Sequence, residues 1–163
     1  MPSRLNPYLN FQGNAREAIE FYRSVFGGEL QLTSYRDGGI PHDAADADKV
    51  MHGQLDAPNG MLLMAADAPS SGGSSAGGPA SGPSIGISLS GDDDAELSGY
   101  FRKLSDGATI MEPLETAPWG DKFGMLTDRF GVWWMVNIAG APAEQAGQDA
   151  VRIEAEQPSE QPV

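Results

Sequence analysis

The sequence lacks cysteine, is poor in basic residues and contains no long apolar run. Without cysteine, a disulfide framework and a thiolate metal site are both excluded. The 23 acidic residues against 10 basic residues give a net charge of −13, which disfavours nucleic acid because its phosphates would be repelled. No apolar run approaches the roughly 20 residues of a membrane span, and no signal-peptide-like segment follows Met1. We therefore expect a cytoplasmic protein that binds neither nucleic acid nor membrane.

Two stretches have compositions that do not support a packed core. Residues 68–83 are almost entirely Gly, Ser, Pro and Ala, which is typical of a flexible linker. Residues 139–163 are rich in Ala, Gln, Glu and Pro, which indicates a disordered acidic tail. We expect one domain over residues 1–138, with half-repeats at residues 5–67 and 84–138 joined by the linker.

The two halves repeat one order of predicted elements, a strand, a helix and three strands. The first helix is predicted from Asn14 to Phe26 and the second from Asp93 to Ser105, because each has a capping residue and apolar residues at helical spacing. The expected fold class is α+β, with tandem βαβββ repeats that form a cupped mixed sheet. Such a repeat favours two equivalent half-sheets around a shared cleft. The strands are predicted at Leu5–Phe11, Glu29–Tyr35, Val50–Leu55, Met61–Ala66, Ser84–Ser90, Thr109–Leu114, Lys122–Thr127 and Val132–Ile138.

His52 and Gln54 have the same parity on one predicted strand, so their side chains face the same side. On the cleft side they would form a polar wall. His52 has two interpretations: a structural residue held by hydrogen bonds, or a neutral imidazole that binds a ligand or acts as a base. The other histidine, His42, lies in a polar segment that reads as a solvated loop.

Aromatic residues form a second candidate group. Trp119 precedes the strand that contains Phe123, and Trp133 and Trp134 are adjacent on the last strand. Adjacent strand residues face opposite sides, so one indole packs under a helix and the other points into the cleft. We assign Trp134 to the cleft. Together with Tyr35, these side chains predict an aromatic cavity for a planar or amphiphilic ligand, with ordinary core packing as the alternative.

Two segments carry a resemblance to a known family: residues 7–28 read PYLNFQGNAREAIEFYRSVFGG, and residues 119–134 read WGDKFGMLTDRFGVWW. With the doubled βαβββ order, they resemble the PhnB-like branch of the vicinal oxygen chelate superfamily, which includes glyoxalase I, dioxygenases and bleomycin resistance proteins. The resemblance covers about residues 5–138. It implies the fold more strongly than the activity, because this architecture serves unrelated chemistries.

The resemblance also implies where a divalent metal would be held, since the superfamily's metal enzymes place His, Gln or Glu on matching strands of the two halves. In this sequence those positions fall on poor ligands: Pro7 or Tyr8, Pro83 or Ser84, and Met135. His52 is the one remaining candidate ligand. The expectation is therefore no metal cofactor, with a divalent ion held by an unconventional set as the alternative.

Two functions follow as expectations. The first is a metal-independent, resistance-like protein that binds a small molecule. The second is a metal-dependent lyase, isomerase or dioxygenase, so whether the protein is an enzyme stays open. By resemblance to the superfamily, we expect a homodimer whose halves are in some cases exchanged between chains.

Overall fold

The computed structural model describes residues 3–70 and 85–140. Most of the linker predicted at residues 68–83 and of the tail predicted at residues 139–163 lies outside the described residues. Within the two described ranges, no helix is both long and apolar enough to cross a lipid bilayer.

Each described half contains a strand, a helix and three further strands, as predicted. The first half consists of β1 (Tyr8–Phe11), α1 (Ala15–Phe26), β2 (Glu29–Ser34), a one-turn helix α2 (Tyr35–Gly38), β3 (Val50–Asp56) and β4 (Leu62–Asp67). The second half consists of β5 (Ile87–Gly91), α3 (Asp94–Leu104), β6 (Thr109–Thr116), β7 (Lys122–Thr127) and β8 (Trp133–Ile138).

The two halves form two four-stranded mixed sheets with equivalent strand orders, β1-β4-β3-β2 and β5-β8-β7-β6. In each sheet the first and last strands of the half are parallel neighbours, and the other pairs are antiparallel. The α+β fold class with tandem βαβββ units is therefore confirmed.

The hydrophobic core lies on the helix-bearing faces of both sheets. Ile19 of α1 packs over Gly53 of β3, where an added Cβ would lie 3.3 Å from Ile19 Cδ1. The same helix reaches the second half, because Phe26 packs against Trp134 with their ring centroids 5.5 Å apart. One buried cluster thus joins the two halves through their helices.

The two helices begin in different ways. Asp93 caps α3 as predicted, since its Oδ1 accepts a hydrogen bond from the Glu96 backbone N–H at 2.9 Å. Asn14 makes no such bond, so the predicted capping box at α1 is wrong. Asp67, at the end of β4, takes its place and accepts hydrogen bonds from the N–H groups of Gly13 and Ala15 at 2.8 and 2.9 Å.

Candidate functional site

We call the face of each sheet opposite its helix the open face. Gly53 faces α1, so its neighbours His52 and Gln54 point to the first open face. Gln54 is paired with Met64, which is paired in turn with Tyr8, and paired residues share a face. The first open face therefore carries mostly hydrogen-bonding side chains: Tyr8, Gln31, Thr33, His52, Gln54 and Met64.

Tyr8 and His52 interact directly on the first open face. A hydrogen bond joins Tyr8 Oη and His52 Nδ1 at 3.1 Å, and the two ring centroids lie 5.7 Å apart. Tyr8 remains 45% exposed, so the pair is open to a ligand. Partial burial raises the pKa of the Tyr8 phenol above its ordinary value, which keeps it protonated at neutral pH.

Gln54 is oriented by a second contact on this face. Its Nε2 donates a hydrogen bond to Asp56 Oδ2 at 2.8 Å. The amide is thereby held with its nitrogen toward Asp56. Gln54 and His52 lie on the same face, as the sequence predicted, and Tyr8 joins them there.

Along β7 and β8 the second open face is rich in aromatic and thioether side chains, and at its edge Glu112 and Glu115 of β6 are paired with Met125 and Phe123. Leu126 of β7 is fully buried in the core, so its neighbours Met125 and Thr127 point the other way. Phe123 shares this parity, and Met135 and Trp133 are paired opposite Met125 and Thr127. The second open face therefore carries these side chains: Phe123, Met125, Thr127, Trp133, Met135 and Asn137.

Two tryptophans border this surface. Trp119 is 65% exposed, and its ring centroid lies 6.1 Å from that of Phe123, so these two side chains lie next to each other. The Nε1 of Trp133 is buried and has no hydrogen-bond partner among the described residues. A buried N–H without an acceptor is costly, which makes this indole a candidate donor to a ligand.

Trp134 does not lie in the cleft to which it was assigned. It is 1% exposed and packs in the core, where its Nε1 donates a hydrogen bond to Asp128 Oδ2 at 2.9 Å. It is paired with Leu126, which faces the core, so Trp133 is the indole on the open face. The indole of Trp134 only borders a small apolar groove of about 250 Å³ at the junction of the two halves, together with Phe26.

Tyr35 is also away from the open faces. Tyr35 is the first residue of α2 and its side chain is buried. Its Oη donates a hydrogen bond to the backbone carbonyl of Asp67 at 2.9 Å. Burial, with the nearby carboxylates of Asp46 and Asp67, raises the pKa of this phenol. Tyr35 therefore holds the loop after β2 against the end of β4, and its predicted place in the ligand cavity is wrong.

The open-face residues that were not predicted as ligand-binding include Tyr8, Met125, Trp133 and Met135. Tyr8 and Met135 had been considered only as metal-ligand positions, for which both are poorly suited. The parity of β7 would have found Met125, since it shares a face with Phe123 two residues earlier.

Comparison with known proteins identifies the family. Residues 4–136 match the model of the glyoxalase/bleomycin resistance protein/dioxygenase superfamily. The chain belongs to this superfamily. The predicted resemblance is thereby confirmed.

Several known proteins resemble the chain over most of its length. The Escherichia coli protein YjdN is 30% identical over 145 residues, which cover 82% of this chain and 94% of YjdN. The structure of PA1353 from Pseudomonas aeruginosa is 37% identical with a TM-score of 0.71, covering 86% of this chain and all of that one. The PhnB protein from Bacillus cereus is 26% identical with a TM-score of 0.65, covering 84% of this chain and all of that one.

The superfamily includes metal enzymes, so the donor set on the first open face was compared with what a divalent ion requires. Such an ion needs several oxygen or nitrogen donors that converge on one point. Within residues 3–70 and 85–140, no three His, Asp or Glu side chains converge in this way. Tyr8 contacts Nδ1 of His52, and Asp56 accepts from Nε2 of Gln54, so the described residues leave Nε2 of His52 and Oε1 of Gln54 uncommitted. Taken alone, this face of one chain offers fewer donors than a chelated metal requires.

Proposed function

We propose that this protein is a cytoplasmic, metal-independent binding protein for a small, partly aromatic molecule, with a role of the resistance type. The proposal rests on one observation, the different side-chain chemistry of the two open faces. The first offers hydrogen-bonding groups around Tyr8, His52 and Gln54, and the second offers aromatic and thioether surface around Phe123 and Met125. A ligand with a flat apolar body and a polar edge would satisfy both.

The cleft in this proposal is shared between two protomers. In one chain the helices occupy the space between the sheets, so the two open faces point away from the common core. In a homodimer, the first open face of one protomer would lie opposite the second open face of its partner. Two equivalent clefts would result from the two-fold symmetry.

The second open face is suited to a flat apolar partner for a physical reason. Methionine side chains are flexible and polarizable, so Met125 and Met135 can adapt to aromatic rings of different shapes. The unpartnered Nε1 of Trp133 would supply one hydrogen bond at the edge of such a ring. These features favour binding of a flat aromatic molecule, and the carboxylates of this face, Glu112 and Glu115, lie on the neighbouring strand β6.

The test is binding by metal-free protein. After treatment with a chelator and confirmation of metal content, the full chain would be titrated with two tricyclic probes, acridone and proflavine. We expect a probe to quench tryptophan fluorescence and to raise the melting temperature, with Kd unchanged by added Ni²⁺, Zn²⁺, Mn²⁺ or Fe²⁺. Binding or turnover that appears only after a metal is restored would overturn the proposal, as would saturating probe without any change in either signal.

Two tryptophan variants sharpen this test. Trp133→Phe removes an indole from the second open face and should weaken binding while the fold persists. Trp134→Phe is the matched control, because it removes an indole from the core. It should lower the melting temperature and leave the affinity for the probe nearly unchanged.

A further inference from the structure

The contact between Tyr8 and His52 bridges two strands that are not neighbours. Tyr8 lies on β1 and His52 on β3, with β4 between them. The phenol therefore reaches across the intervening strand, β4, to place its Oη 3.1 Å from Nδ1 of the imidazole. This contact is the one hydrogen bond that the described residues give to the His52 ring, so Nε2 is left for a ligand.

A neutral imidazole carries its proton on one of its two nitrogens, and the hydrogen bond at one nitrogen sets the other. A phenol is a strong donor, and the described residues give Tyr8 Oη no acceptor other than His52 Nδ1. We propose that Tyr8 donates to Nδ1 and thereby fixes His52 with its proton on Nε2, so that the first open face presents an N–H donor to the ligand. This inference rests on the proposed function for its ligand and makes Tyr8 a positioning residue.

The charges around His52 narrow the class of ligand. An Nε2–H group requires an acceptor, such as a carbonyl oxygen, a carboxylate oxygen or a pyridine-type ring nitrogen of an aromatic molecule. Asp56 shares the parity of His52, and Glu29 is paired opposite Asp56 on the neighbouring strand. Asp56 lies four residues, or about 13 Å, along the strand from His52, so these two carboxylates disfavour an anionic ligand only weakly at moderate salt. The expected ligand is an aromatic molecule with an uncharged acceptor, and a carbonyl oxygen, as in a ketone, lactam or amide, is the simplest such group.

The same assignment bears on metal binding. An imidazole nitrogen that carries a proton has no lone pair for a metal ion. With Nδ1 accepting from Tyr8 and Nε2 protonated, His52 would have to lose its phenol contact or shift its proton before it could ligate. The tautomer thus links the metal independence of the proposed function to one hydrogen bond.

The chain offers an internal reference for the experiment, since it contains two histidines. Nδ1 of His42 lies 2.8 Å from the carbonyl oxygen of Ile40, and a carbonyl can only accept. His42 must therefore carry its proton on Nδ1. ¹⁵N NMR of the full chain, at a pH where both rings are neutral, should show two histidines in opposite tautomers.

Tyr8→Phe tests the role of the phenol. Because Tyr8 is 45% exposed, removal of its hydroxyl should leave the melting temperature nearly unchanged. We expect the ¹⁵N signals of His52 to move toward a mixture of tautomers while those of His42 stay fixed. A wild-type His52 with its proton on Nδ1, or His52 signals that ignore the substitution, would overturn the proposal.

Ligand class is tested separately by calorimetry with acridone, which has an uncharged carbonyl, and acridine-9-carboxylate, which is anionic. We expect acridone to bind more tightly, to perturb the Nε2–H signal, and to lose about fivefold in affinity in Tyr8→Phe. His52→Gln, whose amide reaches the position of Nε2, should retain binding that His52→Asn loses. Tighter binding of the carboxylate, or acridone binding without a change at His52, would overturn the ligand class. Failure of every aromatic probe, with the Nε2–H form intact, would instead count against the proposed function.

Discussion

Tyr22 and Trp134 come from different halves of the chain and donate hydrogen bonds to the same carboxylate oxygen. Their distances to Asp128 Oδ2 are 2.6 and 2.9 Å, and the other oxygen of Asp128 accepts from the N–H groups of Phe130 and Val132. Burial and the adjacent Asp128 raise the pKa of Tyr22 far above its ordinary value, so the phenol is a donor at every working pH. This carboxylate connects helix α1 to the turn before β8.

Tyr22→Phe should therefore destabilise the protein, because a buried carboxylate loses one of its donors. We expect the free energy of unfolding to fall by about 2 kcal/mol, measured by urea denaturation. Tyr100→Phe is the matched control, since its hydroxyl donates to Glu96 near the surface at 2.8 Å, and its loss should be under about 1 kcal/mol. Equal losses in the two variants would show that the hydrogen bond between the halves contributes no more to the free energy of unfolding than the one near the surface.

The carboxyl group of Asp46 predicts how the stability of the protein depends on pH. Hydrogen bonds from Lys49 Nζ and from Ser70 lower the pKa of its carboxyl to about 2, against an ordinary value of 3.8. A carboxyl whose pKa is lower in the folded state stabilises the fold above its unfolded pKa and loses that contribution as pH falls through the folded value. Wild type should therefore be more stable than Asp46→Asn at pH 6, and the difference should shrink between pH 4 and pH 2.

The control for this prediction is Asp48→Asn. Asp48 pairs with Arg36 on the surface, with 88% of its side chain exposed, so solvent screens the pair. Its loss should change stability little at any pH in this range. A difference between wild type and Asp46→Asn that stays constant down to pH 2 would contradict the assignment.

At the scale of the elements, α1 begins on a side chain from a distant strand. Asp67 Oδ1 accepts from Gly13 and Ala15, and Oδ2 accepts from the Val50 N–H at 3.0 Å. Asp67→Ala should leave three donors unpaired, two of them buried, and lower the free energy of unfolding by about 3 kcal/mol. Asn14→Ala should cost under about 0.5 kcal/mol, because the Asn14 side chain makes no capping bond. If Asn14→Ala proved more destabilising than Asp67→Ala in thermal or urea unfolding, Asn14 would be the cap of α1 instead.

The contrast between these two residues shows where the sequence was sufficient. The helices, the strands and their order could be predicted, since apolar spacing and turn residues are local signals. The cap of α1 could not be predicted, because Asp67 lies 52 residues from Ala15 in the sequence. The end of β2 was misread for a related reason: Tyr35 fits a strand pattern, yet Ser34 caps a short helix there through a hydrogen bond from the Asp37 N–H.

The candidate site was harder to predict than the fold. Alternation on β8 required Trp133 and Trp134 to face opposite sides, but it did not determine which of them faced the core. That choice depends on the pairing of Trp134 with Leu126, a contact between strands. His52 and Gln54 could be grouped from one strand, whereas Tyr8 joins them only through the strand order β1-β4-β3.

At the scale of the whole molecule, the proposed cleft predicts that sites are shared between protomers. His52→Asn impairs the first open face and Trp133→Leu impairs the second, so neither homodimer should bind acridone well. A heterodimer of the two variants would hold one intact site and one doubly impaired site. Calorimetry on the tagged, purified heterodimer should therefore recover about one wild-type site per dimer. No recovery, in a dimer confirmed by light scattering, would mean that one chain supplies both walls.

The separation of core and open face on each sheet has an evolutionary consequence. The residues that hold the halves together, such as Leu55 and Leu126, are on one side of their strands, and the residues that would meet a ligand are on the other. Substitutions such as Gln54 or Met125 to other side chains therefore leave the packed interior intact. A duplicated half can then diverge in what its exposed surface recognises without first acquiring compensating changes in its interior. Selection for a new ligand could proceed one exposed position at a time, with folding preserved at each step.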